Sequence, residues 1–323
     1  MKVLITGGAG FIGSHIAERL LAQGDHVLVI DNYATGRRDN LKPHANLKVV
    51  EGTIADGELV NRLFDEFRPD KVVHAAAAYK DPDAWVEDVH TNTLGSAHIA
   101  AASKRLEVKR IVYFQTALCY GAHPLEQPIT LSHPIRPESS YAISKTGGEQ
   151  YIQLSGVDYI SFRLANAYGP RNLSGPLPTF YSRLTANKPC FVMDTRRDFV
   201  YINDLVDVVM KSLAGQGRKG VYHISSGSDY SIKELFDATI EVLGIKLDKP
   251  VEVRPRLADD VFTILIDPTE TNQDFSWKAS TPLSFGVNAA IEYYREHGIS
   301  ATYTHLKQVG EDPQPAKKTA KVA

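Results

Sequence analysis

Residues 2–13 read Lys2-Val3-Leu4-Ile5-Thr6-Gly7-Gly8-Ala9-Gly10-Phe11-Ile12-Gly13, and this stretch decides the fold. KVLIT is a short apolar, β-branched run of the kind that forms a buried strand. Residues 14–23 are amphipathic with helical spacing, so a helix opens near Phe11. Between strand and helix, each glycine has a task. Gly7 makes the tight turn, Gly10 lets the backbone approach a pyrophosphate, and Gly13 lets helix and strand pack closely. The helix N-terminus adds unpaired N–H groups that attract phosphate. The next strand-like run, HVLVI, ends in Asp31, eighteen residues past Gly13. A carboxylate there accepts hydrogen bonds from an adenosine ribose and favours NAD over NADP. Arg37 and Arg38 follow closely, but Asp31 would repel a 2'-phosphate.

The same rhythm continues outward. Apolar runs recur at 2–6, 26–30, 47–51, 71–75, 110–114 and 159–163, each read as a strand buried on both faces. Amphipathic segments at 14–23, 57–67 and 94–104 are long enough to cross over a sheet face. This alternation predicts an α/β fold, a Rossmann-type doubly wound parallel sheet. After residue 165 the chain turns rich in Gly, Pro and Asn (NAYGPRNLSGPLPTF), where a smaller α/β substrate-binding lobe begins. GVYHISSG (220–227) reads as one more strand, followed by a helix that Ser231 can cap with Glu234 three residues on. The lobe is therefore discontinuous. Residues 1–165 with about 201–227 form the NAD-binding domain, about 166–200 with 228–307 the lobe, and 308–323 a mobile tail.

Lys and Arg number 36 against 38 Asp and Glu, so the formal charge is −2. No field for nucleic acid or anionic membrane is built in, and small-molecule partners are expected. No stretch reaches a membrane span and the N-terminus lacks a signal pattern, so a cytoplasmic protein is expected. Cys119 and Cys190 are the two cysteines. No metal site is expected, since the eleven histidines show no HExxH spacing. His74 and Cys119 read as packing residues.

Tyr141-Ala142-Ile143-Ser144-Lys145 puts a phenol and an ammonium four residues apart, on one helix face. A neighbouring ammonium and the positive nicotinamide ring both favour phenolate, so Tyr141 can take a proton from a sugar hydroxyl. Thr116, at the carboxyl edge of a strand, can orient the same oxygen.

Taken in order, GGAGFIGSHIAERLL, DNYATGRRDNL, VVHAAA, Asn92-Thr93-Leu94-Gly95, QTALCYG, PESSYAISK, RLANAYGPRN and RRDFVYINDL resemble the extended short-chain dehydrogenases/reductases. The resemblance is to the nucleotide-sugar epimerases and dehydratases in particular and runs to about residue 285. It implies Thr116, Tyr141 and Lys145 as the catalytic group. It implies cofactor contacts from Gly7, Gly10, Phe11, Ile12, Gly13, Asp31, Asn32, Ala75, Ala76, Ala77 and Asn92, with Lys145 also holding the nicotinamide ribose. Thr53 and Ile54 stand where the family usually has Asp-Ile at the adenine. Substrate contacts would come from Tyr79, Thr116, Asn166, Arg197, Arg256 and Asp259, the arginines gripping phosphate through their planar forks. A homodimer through the helices of residues 94–104 and of Tyr141 is implied too.

The positions after Thr116 narrow the reaction. The resembling 4,6-dehydratases carry Asp-Glu there and the decarboxylases a Glu at the second place, whereas this chain has Ala117 and Leu118. The reading is an NAD-dependent 4-epimerase of a UDP-hexose or a derivative such as a uronic acid or acetamido sugar, acting by transient oxidation to a 4-keto sugar. A net 4-keto nucleotide-sugar reductase is the alternative. The resemblance is closest to enzymes of bacterial O-antigen and polysaccharide synthesis. Departures at Thr53, at Tyr79 and at Met193-Asp194-Thr195-Arg196, where the family has a Gly-Asp-Gly hairpin, leave the sugar and nucleotide open.

Overall fold

The structure is a computed structural model that describes residues 1–79, 81–256, 261–299, 302 and 303. The first half runs Lys2–Thr6 (β1), Phe11–Ala22 (α1), His26–Asp31 (β2), Leu47–Glu51 (β3), Gly57–Phe67 (α2), Lys71–His74 (β4), Trp85–Asp88 (α3), Gly95–Arg105 (α4), Arg110–Thr116 (β5), Ser140–Leu154 (α5) and Tyr159–Leu164 (β6). The second half runs Asn166–Tyr168 (β7), Pro176–Thr185 (α6), Phe191–Met193 (β8), Arg196–Arg197 (β9), Phe199–Tyr201 (β10), Ile202–Leu213 (α7), Gly220–Ile224 (β11), Tyr230–Ser231 (β12), Ile232–Leu243 (α8), Glu252–Arg254 (β13), Thr269–Asp274 (α9) and Leu283–His297 (α10).

Among the described residues, seven strands form one parallel sheet in the order β11-β6-β5-β4-β1-β2-β3. The chain winds outward from β1 to β3, then restarts on the other side of β1 with β4. That reversal opens a crevice above the carboxyl ends of β1 and β4, where ligands bind in such sheets.

Strand alternation feeds two cores. Val3 and Ile5 face one side with Ile16 and Leu20 of α1 and Leu205, Val206 and Val209 of α7. Leu4 faces the other with Val60, Leu63 and Phe64 of α2, Ile99 and Ala100 of α4, and Ile152 of α5. Each of the larger of these side chains, fully buried, contributes about 1.5–3 kcal/mol. The sheet is therefore anchored on both faces directly beneath the crevice.

One strand departs from the expectation of burial on both faces. In β3 no residue is fully buried, and Val49 is 38% exposed. β3 is the sheet edge, so one flank and much of its faces meet solvent; Lys48 and Glu51 there are the charged residues that blunt an edge. The helix expected at 94–104 begins at Gly95, because the chain enters it through a π-helical turn, Val89–Leu94. Such turns interrupt a regular helix to re-aim a side chain, here Asn92.

After β6 the chain leaves the large sheet. β7 pairs with β10, β8 with β13 and β9 with β12, and α6, α8 and α10 pack around these short ladders before and after the excursion of α7 and β11 back to the sheet. The capping box expected of Ser231 and Glu234 starts α8. No helix among the described residues is long and apolar enough to cross a membrane.

Candidate active site

A cavity of about 1140 Å³ runs from the glycine turn across the sheet's carboxyl edge to the β8–β13 ladder. Gly7, Gly10, Phe11, Ile12, Gly13, Asp31, Asn32, Thr53, Ile54 and the 75–77 stretch line one end; Tyr79, Thr116, Tyr141 and Lys145 the middle; Asn166 and Arg197 the other end.

The turn is shaped by absent side chains. Gly7 has φ +67°, and a Cβ there would lie 2.7 Å from the Ala76 Cα; at Gly13 it would lie 2.3 Å from the Gly7 carbonyl oxygen. Gly10 caps α1 in an extended conformation without a side-chain bond, leaving the first-turn N–H groups of α1 uncapped toward the cavity. Anions suit such a site. The Asp31 carboxylate accepts from the N–H groups of Ala9 and Tyr33, both at 2.8 Å, and is 6% exposed. Burial raises its pKa while those N–H groups oppose the rise. A ribose diol donating to its remaining lone pairs would relieve that burial. Arg37 instead grips Asp39, and Arg38 pairs with Glu51 and lies over the Tyr33 ring. Neither lines the cavity. The glycine cradle, uncapped helix and buried carboxylate fit NAD. Thr53 keeps a polar atom there: its hydroxyl oxygen accepts from the Ala55 N–H (3.2 Å), which leaves its proton to donate.

Tyr141 and Lys145 project from one face of α5, whose N-terminus Ser139 caps by accepting from the Ala142 N–H. Burial pushes the Tyr141 phenol well above its usual range, with Tyr79 and Asp88 adding to the rise. Burial also lowers Lys145 to about 7, against the pull of Glu149. Apolar surroundings thus favour the neutral form of both groups, so a charge brought close to them has strong leverage over their protons. The Tyr79 ring meets Tyr141 edge-on at 6.4 Å. Thr116 ends β5; its oxygen accepts from the Leu118 N–H (3.2 Å), leaving its proton for a ligand oxygen.

Ala117 and Leu118 line the cavity with Ala165, Val261 and Ile264, an apolar wall. Among the described residues, the carboxylates that line the cavity, Asp31, Glu87 and Glu252, come from β2, α3 and β13, not from the turn after Thr116.

The structure places two candidates elsewhere. Asn92 stands behind the wall: its side chain accepts from the Ala78 N–H and donates to the Ala78 carbonyl and Ser144 hydroxyl, each near 3 Å. It therefore brackets the 75–78 stretch against α5. Arg256 is exposed and does not line the cavity, and Asp259 lies outside the described residues, as does the 308–323 segment. Behind the same wall His74 is fully buried, between the Thr6 hydroxyl (2.8 Å) and the Ser96 hydroxyl (2.9 Å). Ser96 gives its proton to the Asn92 carbonyl, so His74 donates from Nε2 and accepts at Nδ1. Burial, with Lys145, lowers it to about 3, which keeps it neutral. Cys119 is buried, its thiol pushed up to about 12 by burial.

At the far end, sequence reasoning named Asn166 and Arg197 but missed their neighbours. The Arg254 guanidinium lies 3.8 Å from the centroid of the Phe191 ring, with Arg183 and Lys188 nearby on the lining. Arg197 is held there by donating from Nη1 to the carbonyls of Arg196 and Val261. Among the described residues no group of three His, Cys, Asp or Glu could hold a metal.

The NAD dependent epimerase/dehydratase family matches residues 3–225. The chain is similar to two solved Bordetella bronchiseptica enzymes. One is WbmH in complex with NAD+ (52% identity, TM-score 0.89, covering 92% of this chain and 99% of that one). The other is WbmG in complex with NAD and UDP (46%, 0.88, 94% and 98%). It is also 29% identical to a putative UDP-glucose 4-epimerase of Methanocaldococcus jannaschii, over 91% of this chain and 99% of that protein.

Proposed function

The chain belongs to the NAD dependent epimerase/dehydratase family, so its cofactor is NAD, and from that premise we propose that it inverts C4 of a UDP-linked hexose or hexose derivative. The observation that carries the reaction type is the wall beside Thr116. Thr116, Tyr141 and Lys145 share one cavity, and the next two residues, Ala117 and Leu118, present no acid. Elimination of water needs a proton donor for the leaving oxygen; epimerisation needs one reversible proton shuttle. NAD, when bound, supplies a hydride acceptor and donor at the sugar carbon. Thr116 orients the C4 oxygen by donating to it. Tyr141 takes that oxygen's proton and later returns it, and Lys145 stabilises the phenolate with its positive charge.

UDP is supported by the complex of WbmG with that nucleotide and by the far end of the cavity. There Phe191 and Arg254 offer a flat surface for a base, and Arg197 and Asn166 polar groups for the diphosphate. A homodimer is part of this reading. Trp85 and Val86 are 65% and 71% exposed beside Val89 and Leu94, and Ile143 and Leu154 of α5 are exposed as well. Contiguous apolar side chains of this kind mark protein interfaces.

The test is a panel of UDP-, dTDP-, CDP- and GDP-sugars incubated with the purified protein, product stereochemistry being read by NMR. C4 inversion of a UDP-sugar without added coenzyme, abolished in Tyr141→Phe, is the expected result. Stoichiometric consumption of NADH would overturn it in favour of a net reductase.

A further inference from the structure

Lys145 rests on Tyr113 of β5. Its Nζ lies 4.2 Å from the centroid of the Tyr113 ring, and the Tyr113 hydroxyl donates to the Lys145 carbonyl at 2.9 Å. One aromatic residue thus holds both ends of the lysine. Room for that hydroxyl exists because position 148 is glycine: a Cβ there would lie 2.7 Å from it and 2.5 Å from the Asn92 carbonyl oxygen.

One turn beyond Lys145, on the same face of α5, stands Glu149. Its carboxylate accepts from Arg163 Nη2 at 2.9 Å and from the Ser161 hydroxyl at 2.5 Å, and the two charged side chains are 2% and 6% exposed. Arg163 Nη1 donates to the Tyr120 hydroxyl (2.7 Å), which lies 2.6 Å from His223 Nε2. The carboxylate is therefore fixed from β6, not free to swing.

The groups facing Lys145 come from four elements. Tyr141 and Glu149 share its helix and Tyr113 lies beneath on β5. His74 of β4 meets the Tyr113 ring edge-on at 5.3 Å, and Arg163 of β6 stands behind Glu149. Among these, Glu149 alone is negative. A buried ammonium without a counter-charge sheds its proton.

We propose that Tyr113 and Glu149 are positioning residues for Lys145: the Tyr113 ring seats the ammonium, and the clamped Glu149 carboxylate keeps it charged where the reaction runs. The consequence for turnover rests on the 4-epimerase reading; the direct measurement below does not.

That measurement is a pH titration of the NAD-bound protein carrying 13C-labelled lysine, followed by NMR, with the Lys145 resonance assigned from Lys145→Arg. In Glu149→Gln the Lys145 midpoint falls by about one pH unit or more, tenfold in its protonation constant. The alkaline limb of kcat falls with it, because fewer molecules hold the ammonium at a given pH; lowering the pH rescues kcat, and KM for the UDP-sugar stays within about threefold. Tyr113→Leu lowers the midpoint in the same sense, whereas Tyr113→Phe, which keeps the ring, leaves it within about 0.3 unit. Should Glu149→Gln not fold, the double variant E149Q/R163M also removes the guanidinium that Glu149→Gln would strand, leaves Lys145 without a counter-charge as before, and is expected to lower the midpoint in the same sense. A midpoint within about 0.3 unit of wild type in the folded Glu149 variant overturns the proposal. If the midpoints move as stated but wild type inverts no UDP-sugar, the 4-epimerase reading fails and the seat stands.

Discussion

Gly13→Ala sets two effects of opposite sign against each other. Gly13 lies in the first turn of α1, and in an exposed helix interior alanine is favoured over glycine by about 0.8–1.0 kcal/mol. Here, however, the new Cβ would stand 2.3 Å from the Gly7 carbonyl oxygen and 2.8 Å from the Gly8 Cα. Both atoms are backbone, so no rotamer change relieves the overlap. The turn itself must shift, and Gly7 is already wedged against Ala75 and Ala76. Overpacking of this kind costs about 1–3 kcal/mol and outweighs the propensity gain. Because the displaced atoms form the anion cradle, the shift also reaches NAD. The variant is expected to lose up to about 2 kcal/mol by urea denaturation and to bind NAD at least about tenfold more weakly by calorimetry, a change of about 1.4 kcal/mol. Gly10→Ala is the internal comparison: its Cβ would meet only the Gly7 oxygen, at 3.1 Å, and the stability loss should be smaller. A Gly13→Ala protein as stable as wild type, with unchanged NAD affinity, would refute the reasoning.

Asp198 is fully buried and raised to about 6 by burial, against hydrogen bonds that include those of Ser226 to its carboxylate. A folded pKa above the unfolded one contributes stability at low pH that is lost as pH rises toward 6. Asp198→Asn should therefore flatten the urea midpoint between pH 4 and 6 and gain relative stability above that, by at most about 3 kcal/mol. Trp85→Asp combined with Val86→Asp, both at exposed positions, should leave the fold intact and halve the mass seen by light scattering. An unchanged dimer, or a monomeric wild type, would remove these residues from the interface. Phe191→Ala should weaken UDP binding about tenfold in calorimetry while NAD binding stays the same, because the ring lies at the cavity end away from the glycine turn. Equal loss for both ligands would mean a general disturbance rather than a base platform.

What could be read along the chain was whatever is local. The glycine turn, the strand before it and Asp31 fall within some thirty residues, and their tasks follow from backbone freedom and sheet topology. The same holds for Tyr141 and Lys145, one helical turn apart. The edge exposure of β3 was not legible, because an apolar run does not declare its place in the sheet order. Arg254 escaped notice for a related reason: β13 pairs with β8 some sixty residues earlier, and only that pairing brings the guanidinium over Phe191. Asn92 shows the reverse case. Its position beside the 75–77 stretch was legible, but not that Ala78 and Ser144 would take both its amide N–H groups and that Ala78 would donate to its oxygen.

These differences follow one physical pattern. Sequence spacing reveals which side chains can share a face, while hydrogen-bond saturation decides which of them remain available to a ligand. Asp31 and Thr116 each bond backbone N–H groups, yet each retains a valence directed to the cavity: spare lone pairs in one case, a hydroxyl proton in the other. Asn92 and His74 are comparably placed in sequence, but their polar atoms close on one another's neighbours through Ser96 and Thr6, and so they stiffen the wall instead of forming its surface. A rigid wall matters to the proposed epimerisation, which must present both faces of one carbon to one fixed hydride position. In that reading the sugar must turn while the groups that define the position stay still, and the buried bonds of Asn92, His74 and Ser96 hold those groups from behind.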